Sequence, residues 1–138
     1  MAYWLFKSEP DAWSWEAQKK KGAAGEPWSG VRNHQAANNM KAMKKGEHGF
    51  FYHSGEERSI VGIVEVIGEF RPDPTDETGR FGLVDVKAVA DVPRPVSLAA
   101  AKANPKLAEM TLVKFSRLSV QPVTAAEWKI VCAMGGVK

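Results

Sequence analysis

Apolar positions in this chain fall into short alternating runs separated by polar turns, with helical spacing confined to a few segments. Tyr3-Trp-Leu-Phe-Lys7 alternates and is rich in aromatics, which predicts a first strand ended by Ser8-Glu9-Pro10. Asp11 is the expected cap of a helix that begins at Ala12, carries Trp13, Trp15 and Glu16 in its first turns and closes at Lys19-Lys-Lys21 and Gly22. Residues 22–27 then form a loop leading to Trp28. Asn33 is a good N-cap, and Ala36, Ala37, Met40 and Met43 follow at helical spacing, so a helix is expected over about residues 34–44. Lys41, Lys44 and Lys45 suit its C-terminal end, and Gly46 is the expected stop. The run Gly49-Phe-Phe-Tyr-His-Ser54 predicts a strand, 54–58 a polar turn, and Ile60–Val66 the partner strand.

Arg71–Gly79 has the composition of an exposed loop, and Phe81–Val89 reads as a third long strand that Pro93-Arg-Pro95 breaks. Ser97 is placed to cap a short helix through Lys102, Asn104-Pro105 interrupts it, and Leu107–Met110 adds a turn. Arg117–Val123 predicts a last strand with a proline edge, and Thr124 opens a C-terminal helix holding Trp128, Ile130, Val131 and Met134. Strands outnumber helices and are joined by hairpin turns. The fold class is therefore α+β, a small twisted barrel flanked by helices.

Length and composition narrow the class. At 138 residues the chain is expected to be a single domain, 1–138, with enough apolar content for a core. The sequence has no run of about 20 apolar residues and no signal-peptide pattern, so an intracellular, cytoplasmic protein with no membrane association is expected, nuclear if the source is eukaryotic. The single cysteine, Cys132, excludes an internal disulfide and a cysteine metal cluster. A net charge of +3 permits an acidic partner such as nucleic acid without requiring one.

The densest chemistry lies between Trp28 and Ser54. A base offers flat faces that stack on aromatic rings and edges that need amide, hydroxyl or carboxylate partners. Trp28, Tyr52 and Phe81 are candidate faces; Ser8, Glu9, Asn33, Asn38 and Ser54 are candidate edges; Lys7, Arg32 and Lys41 are candidate phosphate contacts. Val31 and His53 flank these positions in sequence and complete the expected pocket. Each has a plainer reading. Trp4, Trp13, Trp15 and Trp128 are expected as core or packing residues rather than ligand contacts, at about four to one. Arg32 has about one chance in three of being a structural bridge to Glu9 or Glu65. Asn38 and Asn39 can tie the helix to neighbouring loops, the lysine clusters can be solvated faces, and 72–75 can be only a turn.

Catalysis is the rival class, because Ser8, Glu9, His34, His53, Ser54 and Cys132 include the types needed for acid–base or nucleophilic chemistry. No spacing supports it: the sequence has no Gly-x-Ser-x-Gly elbow, phosphate-binding glycine loop or His-x-x-x-His pair. No catalytic residue, metal or cofactor is expected, a hydrolase of modified nucleotides is the alternative, and a protein-interaction module is a third reading.

Trp4-Leu-Phe-Lys-Ser-Glu-Pro10, Gly30-Val-Arg-Asn-His-Gln-Ala-Ala-Asn-Asn-Met40, Phe50-Phe-Tyr-His-Ser54, Val61–Val66, Val84-Asp-Val86 and Arg117–Val123 together closely resemble the EVE domain family across essentially the whole chain. The resemblance implies a PUA-like barrel similar to YTH domains, and a reader module whose pocket accepts a modified base; a non-enzymatic monomer whose partner is nucleic acid carrying a modified base is therefore expected. Lys7-Ser8 resembles the Lys-Ser pair beside the pocket of both families, and Arg32-Asn33 falls where YTH readers have a cage tryptophan and its serine neighbour. The chain departs from the EVE pattern at His34, usually Tyr, at Ala37, usually Arg, and at Phe81, often Trp after a longer loop. A weaker stacking wall and one fewer cation are implied.

Overall fold

The computed structural model describes residues 2–115 and 117–137; Met1, Ser116 and Lys138 lie outside the described residues. Among the described residues six strands, β1 (Tyr3–Ser8), β2 (Glu26–Pro27), β3 (His48–His53), β4 (Ser59–Pro72), β5 (Gly82–Ser97) and β6 (Val120–Val123), form one sheet in the order β2-β5-β4-β3-β1-β6. β1 and β3 run parallel and the other neighbours antiparallel. Among the described residues the α-helices are α1 (Trp15–Lys20), α2 (His34–Ala42), α3 (Leu98–Ala103), α4 (Thr111–Lys114) and α5 (Ala125–Gly135). The α+β class and the PUA-like arrangement are as expected, but the barrel is not closed by hydrogen bonds: β2 and β6 remain the two edges.

The sheet is buried on both faces, which explains why β1 and β3 read as nearly continuous apolar runs. Trp4, Phe6 and Phe51 enter one core with α2, while Leu5, Phe50 and Tyr52 enter another beneath α3, α4 and α5. Trp128 of α5 stacks on Phe50 at 4.0 Å and on Tyr3 at 4.5 Å. The first core is stitched to the chain's start by Glu47, which is buried and accepts from the Trp4 indole, the Lys44 N–H and the Ala2 N–H. Among the described residues no helix is long and apolar enough to cross a membrane.

Several boundaries differ from expectation for identifiable reasons. Asp11 does not cap α1. The Glu9 carbonyl takes the N–H groups of Ala12 and Trp13 as a turn, and Ser14 caps the helix by accepting from Ala17. Trp13 is thereby left outside the helix. α2 starts at the expected cap, with Asn33 accepting from Ala36 at 2.9 Å, but Met43 leaves in an extended conformation before Gly46 is reached. The 93–95 prolines do not break β5. Residues 92–95 fall between the pairs Ile60↔Val96 and Gly62↔Asp91, so they lie in a bulge where no regular ladder donor is required. The last strand is shorter than expected, starting at Val120.

Gly62 marks the closest packing on β4. A Cβ there would stand 2.2 Å from the Trp15 ring, whose indole N–H donates to Asp91 at 2.8 Å and so holds the ring down on the strand. Gly62→Ala is expected to force that ring out and cost about 1–3 kcal/mol by overpacking. A denaturation midpoint equal to that of the wild type would contradict this close approach.

Candidate functional site

The ends of β1 and β2, the Trp13 turn and the loop entering α2 converge on a cavity of about 500 Å³ lined by Lys7, Ser8, Glu9, Ala12, Trp13, Glu26, Pro27, Trp28, Ser29, Gly30, Val31, Arg32, Asn33 and Ser119. Of the residues singled out in the sequence, Lys7, Ser8, Glu9, Trp28, Val31, Arg32 and Asn33 meet here. Asn38, Tyr52, His53, Ser54 and Phe81 do not line it.

The reasons are local. Tyr52 alternates onto the opposite sheet face and is buried in the second core. His53 is buried beneath α1; its Nε2 accepts the Trp15 N–H at 2.9 Å and its Nδ1 pairs with Glu57. Ser54 lies in a separate concavity with Glu9, Asp11, Glu56 and Glu57. Asn38 is exposed on α2, and its neighbour Asn39 is the structural amide, donating to the Val120 carbonyl at 2.7 Å. Phe81 rests against the His34 ring at 4.9 Å and the Arg32 guanidinium at 5.7 Å, bracing both. Lys41 lies over the Phe70 ring.

Two indoles face the cavity, and each is fixed differently. Trp28 is 8% exposed, packed edgewise on Phe6 at 5.2 Å and Phe51 at 5.6 Å. Trp13, expected as a core or packing residue, is half-buried and packs against the first core; its indole N–H donates to Gln18 at 2.9 Å. Gln18 is fully buried and donates in turn to the Val86 carbonyl, so Trp13 is oriented from β5. The missed signal was the second cap candidate, Ser14, which excludes Trp13 from the helix.

The polar groups are also constrained. The Ser8 hydroxyl donates to the Trp13 carbonyl, which leaves the oxygen's lone pairs to accept from a ligand. Burial pushes the Lys7 ammonium below its ordinary pKa, and the ammonium lies 5.7 Å from the Tyr52 ring centre. Arg32 bridges neither Glu9 nor Glu65. Its partners are Asp73 at 3.3 Å, Thr75 at 3.0 Å and the Val31 carbonyl.

The 72–75 segment is therefore more than a turn. The Asp73 carboxylate is buried and also accepts from the N–H of Gly30 at 2.8 Å and from both the N–H and hydroxyl of Thr75. Gly30 has a φ of +82°, a conformation that favours glycine, and Asp73 holds the loop there. Burial alone would raise the Asp73 pKa, but the hydrogen bonds from Thr75, Gly30 and Arg32 outweigh it and hold the carboxyl at about 2. Among the described residues no group of three or more His, Cys, Asp or Glu side chains is arranged to hold a metal ion.

The family profile of the EVE domain matches residues 2–134. The chain belongs to the EVE domain family. Its structure is similar to the crystal structure of protein Atu2648 from Agrobacterium tumefaciens, with a TM-score of 0.96 and 58% identity over 99% of this chain and 94% of that one. It is similar also to human THYN1, crystallised in complex with 5-methylcytosine-containing DNA, with a TM-score of 0.93 and 32% identity over 100% of this chain and 99% of that one. The YTH domain of Zygosaccharomyces rouxii MRB1, solved with N6-methyladenosine RNA, matches with a TM-score of 0.58 and 18% identity over 97% of this chain and 86% of that one, a likeness of fold.

Proposed function

We propose that this EVE domain is a non-enzymatic reader, one module spanning 1–138, that acts inside the cell as a monomer and holds a modified base of a nucleic acid in the Trp13/Trp28 cavity. The observation that carries this reading is the pairing of two separately anchored indoles with Ser8, Glu9 and Asn33 around one cavity of about 500 Å³. Volumes of this order suit small ligands, and rings plus a few fixed polar groups suit a base turned out of its stack. Glu9 and the Ser8 oxygen are acceptors, the type that an exocyclic amine such as that of cytosine or adenine needs. The DNA carrying 5-methylcytosine bound by human THYN1 makes that base the first to test.

Lys7 lines the cavity from the end of β1 while its ammonium lies by the Tyr52 ring on the other sheet face, and Arg32, bonded to Asp73 and Thr75, chiefly braces the rim. The plainness of His53 favours a reader over a hydrolase. Both its ring nitrogens are engaged by Trp15 and Glu57, away from the cavity.

The test is titration of short DNA and RNA strands carrying 5-methylcytosine or N6-methyladenine against their plain counterparts, with mass spectrometry of the recovered strands. One modified strand is expected to bind more tightly and to return chemically unchanged. Trp13→Ala, at a half-buried position outside any helix, is expected to weaken its binding by about 1–3 kcal/mol, the usual worth of one stacked base. Equal binding of all modified and plain strands, or undiminished preference in the Trp13 variant, would refute the assignment.

A further inference from the structure

A second concavity, of about 390 Å³, adjoins the first at Asn33 and is lined by Asn33, Gln35, Phe115, Arg117 and Leu118. The adjacency repeats in the chain, since Leu118 lines the second cavity and Ser119 the first. We infer that this second concavity seats the nucleotide next to the read base on the same strand, with Phe115 as the stacking face. The inference rests on the reading of the first cavity as a base pocket.

Phe115 is 60% exposed, and among the described residues only Val89 is a comparably exposed large apolar side chain. Its backbone is held from both sides. The Phe115 N–H donates to the Thr111 carbonyl at 2.7 Å, and the Phe115 carbonyl accepts from the side chain of Gln121, a fully buried residue of β6. The same Gln121 amide donates to the Leu118 carbonyl at 2.8 Å. A core amide thus ties the Phe115 and Leu118 backbones to β6, which lowers the ordering cost of stacking on the ring.

The remaining lining suits a nucleotide better than a protein face. Gln35 and Asn33 bring amides for a base edge, exposed Arg117 brings a cation for a phosphate, and no carboxylate lines the cavity. Bases stack on such rings with little regard to sequence, so this position is expected to add affinity while the first cavity supplies the preference.

The experiment compares 5-methyl-2′-deoxycytidine 5′-monophosphate with single-stranded trinucleotides carrying 5-methylcytosine at the centre, flanked either by thymines or by abasic sites. Phe115→Ala and Phe115→Leu are expected to weaken the thymine-flanked strand roughly 5- to 100-fold while leaving the mononucleotide unchanged. Abasic flanks should reproduce that loss in the wild type. Arg117→Gln should lower the log–log salt slope for the strand by about 0.7. If the wild type prefers the methylated mononucleotide yet neither Phe115 variant nor abasic flanks weaken binding, the second seat is refuted and the reader stands. If no methylated probe is preferred, both fall. Sedimentation showing that Phe115→Ala only dissociates a dimer, with strand affinity intact, would reassign this face to self-association.

Discussion

Trp28→Ala is expected to cost about 3–5 kcal/mol of stability as well as to remove modified-base preference in the molecules that stay folded. The ring is only 8% exposed, and the edges of Phe6 and Phe51 close on it, so truncation leaves a cavity that three strands cannot collapse to fill. Its backbone N–H donates to Val84 at 2.8 Å and continues the short β2–β5 pairing, which the substitution leaves intact. The damage should therefore be one of packing. Urea unfolding of wild type, Trp28→Phe and Trp28→Ala separates the two roles: phenylalanine should recover part of the stability, because an aromatic edge contact with Phe6 and Phe51 survives. A loss below about 1 kcal/mol for alanine would show that the indole is not part of the core.

This dual role bears on how far the sequence was readable. The alternation of Tyr3–Lys7 and the short aromatic run at Gly49–His53 marked the strands, and the cap at Asn33 set the start of α2. Lys7, Ser8, Glu9, Trp28, Val31, Arg32 and Asn33 then converge because Trp28, just after β2, packs on Phe6 of β1 and brings the entry to α2 beside the end of that strand. Tyr52 was misplaced by one step of alternation: a strand buried on both faces carries no polar marker of which side faces the site. Trp13 was placed inside the helix because two residues able to cap it, Asp11 and Ser14, stand three residues apart, and only the turn onto the Glu9 carbonyl decides between them. The partner of Arg32 lies 41 residues away in a loop of exposed-looking composition. Pro-Asp-Pro-Thr there read as only a turn, and the carboxylate's spare acceptor capacity was not visible without the fold.

That spare capacity leads to the second large effect. Asp73→Ala is expected to cost about 2–4 kcal/mol at neutral pH, since Gly30 and Thr75 lose their acceptor within a part-buried loop and Arg32 loses its counter-ion. Asp73→Asn keeps the shape and one acceptor oxygen but removes the charge, and so isolates the titration. Folding lowers the Asp73 pKa from its ordinary 3.8 to about 2, so the native state binds this proton less readily than the unfolded chain does. The carboxylate's contribution is thus fully present above about pH 4 and is lost as pH falls through about 2; a shift of this size corresponds to about 2 kcal/mol. Asp76, held down first by the Thr78 hydroxyl, and Asp91, held down first by the Trp15 indole, are lowered in the same direction. The wild-type curve therefore sums several groups, and the difference between wild type and Asp73→Asn is the informative quantity. That difference should shrink between pH 4 and pH 2. In the same variant the Gly30 amide should exchange hydrogen faster at neutral pH, because its acceptor has lost its charge, and binding in the adjoining cavity should weaken with it. A stability difference that stays constant across that pH window would show that Asp73 is not the group that fastens this loop.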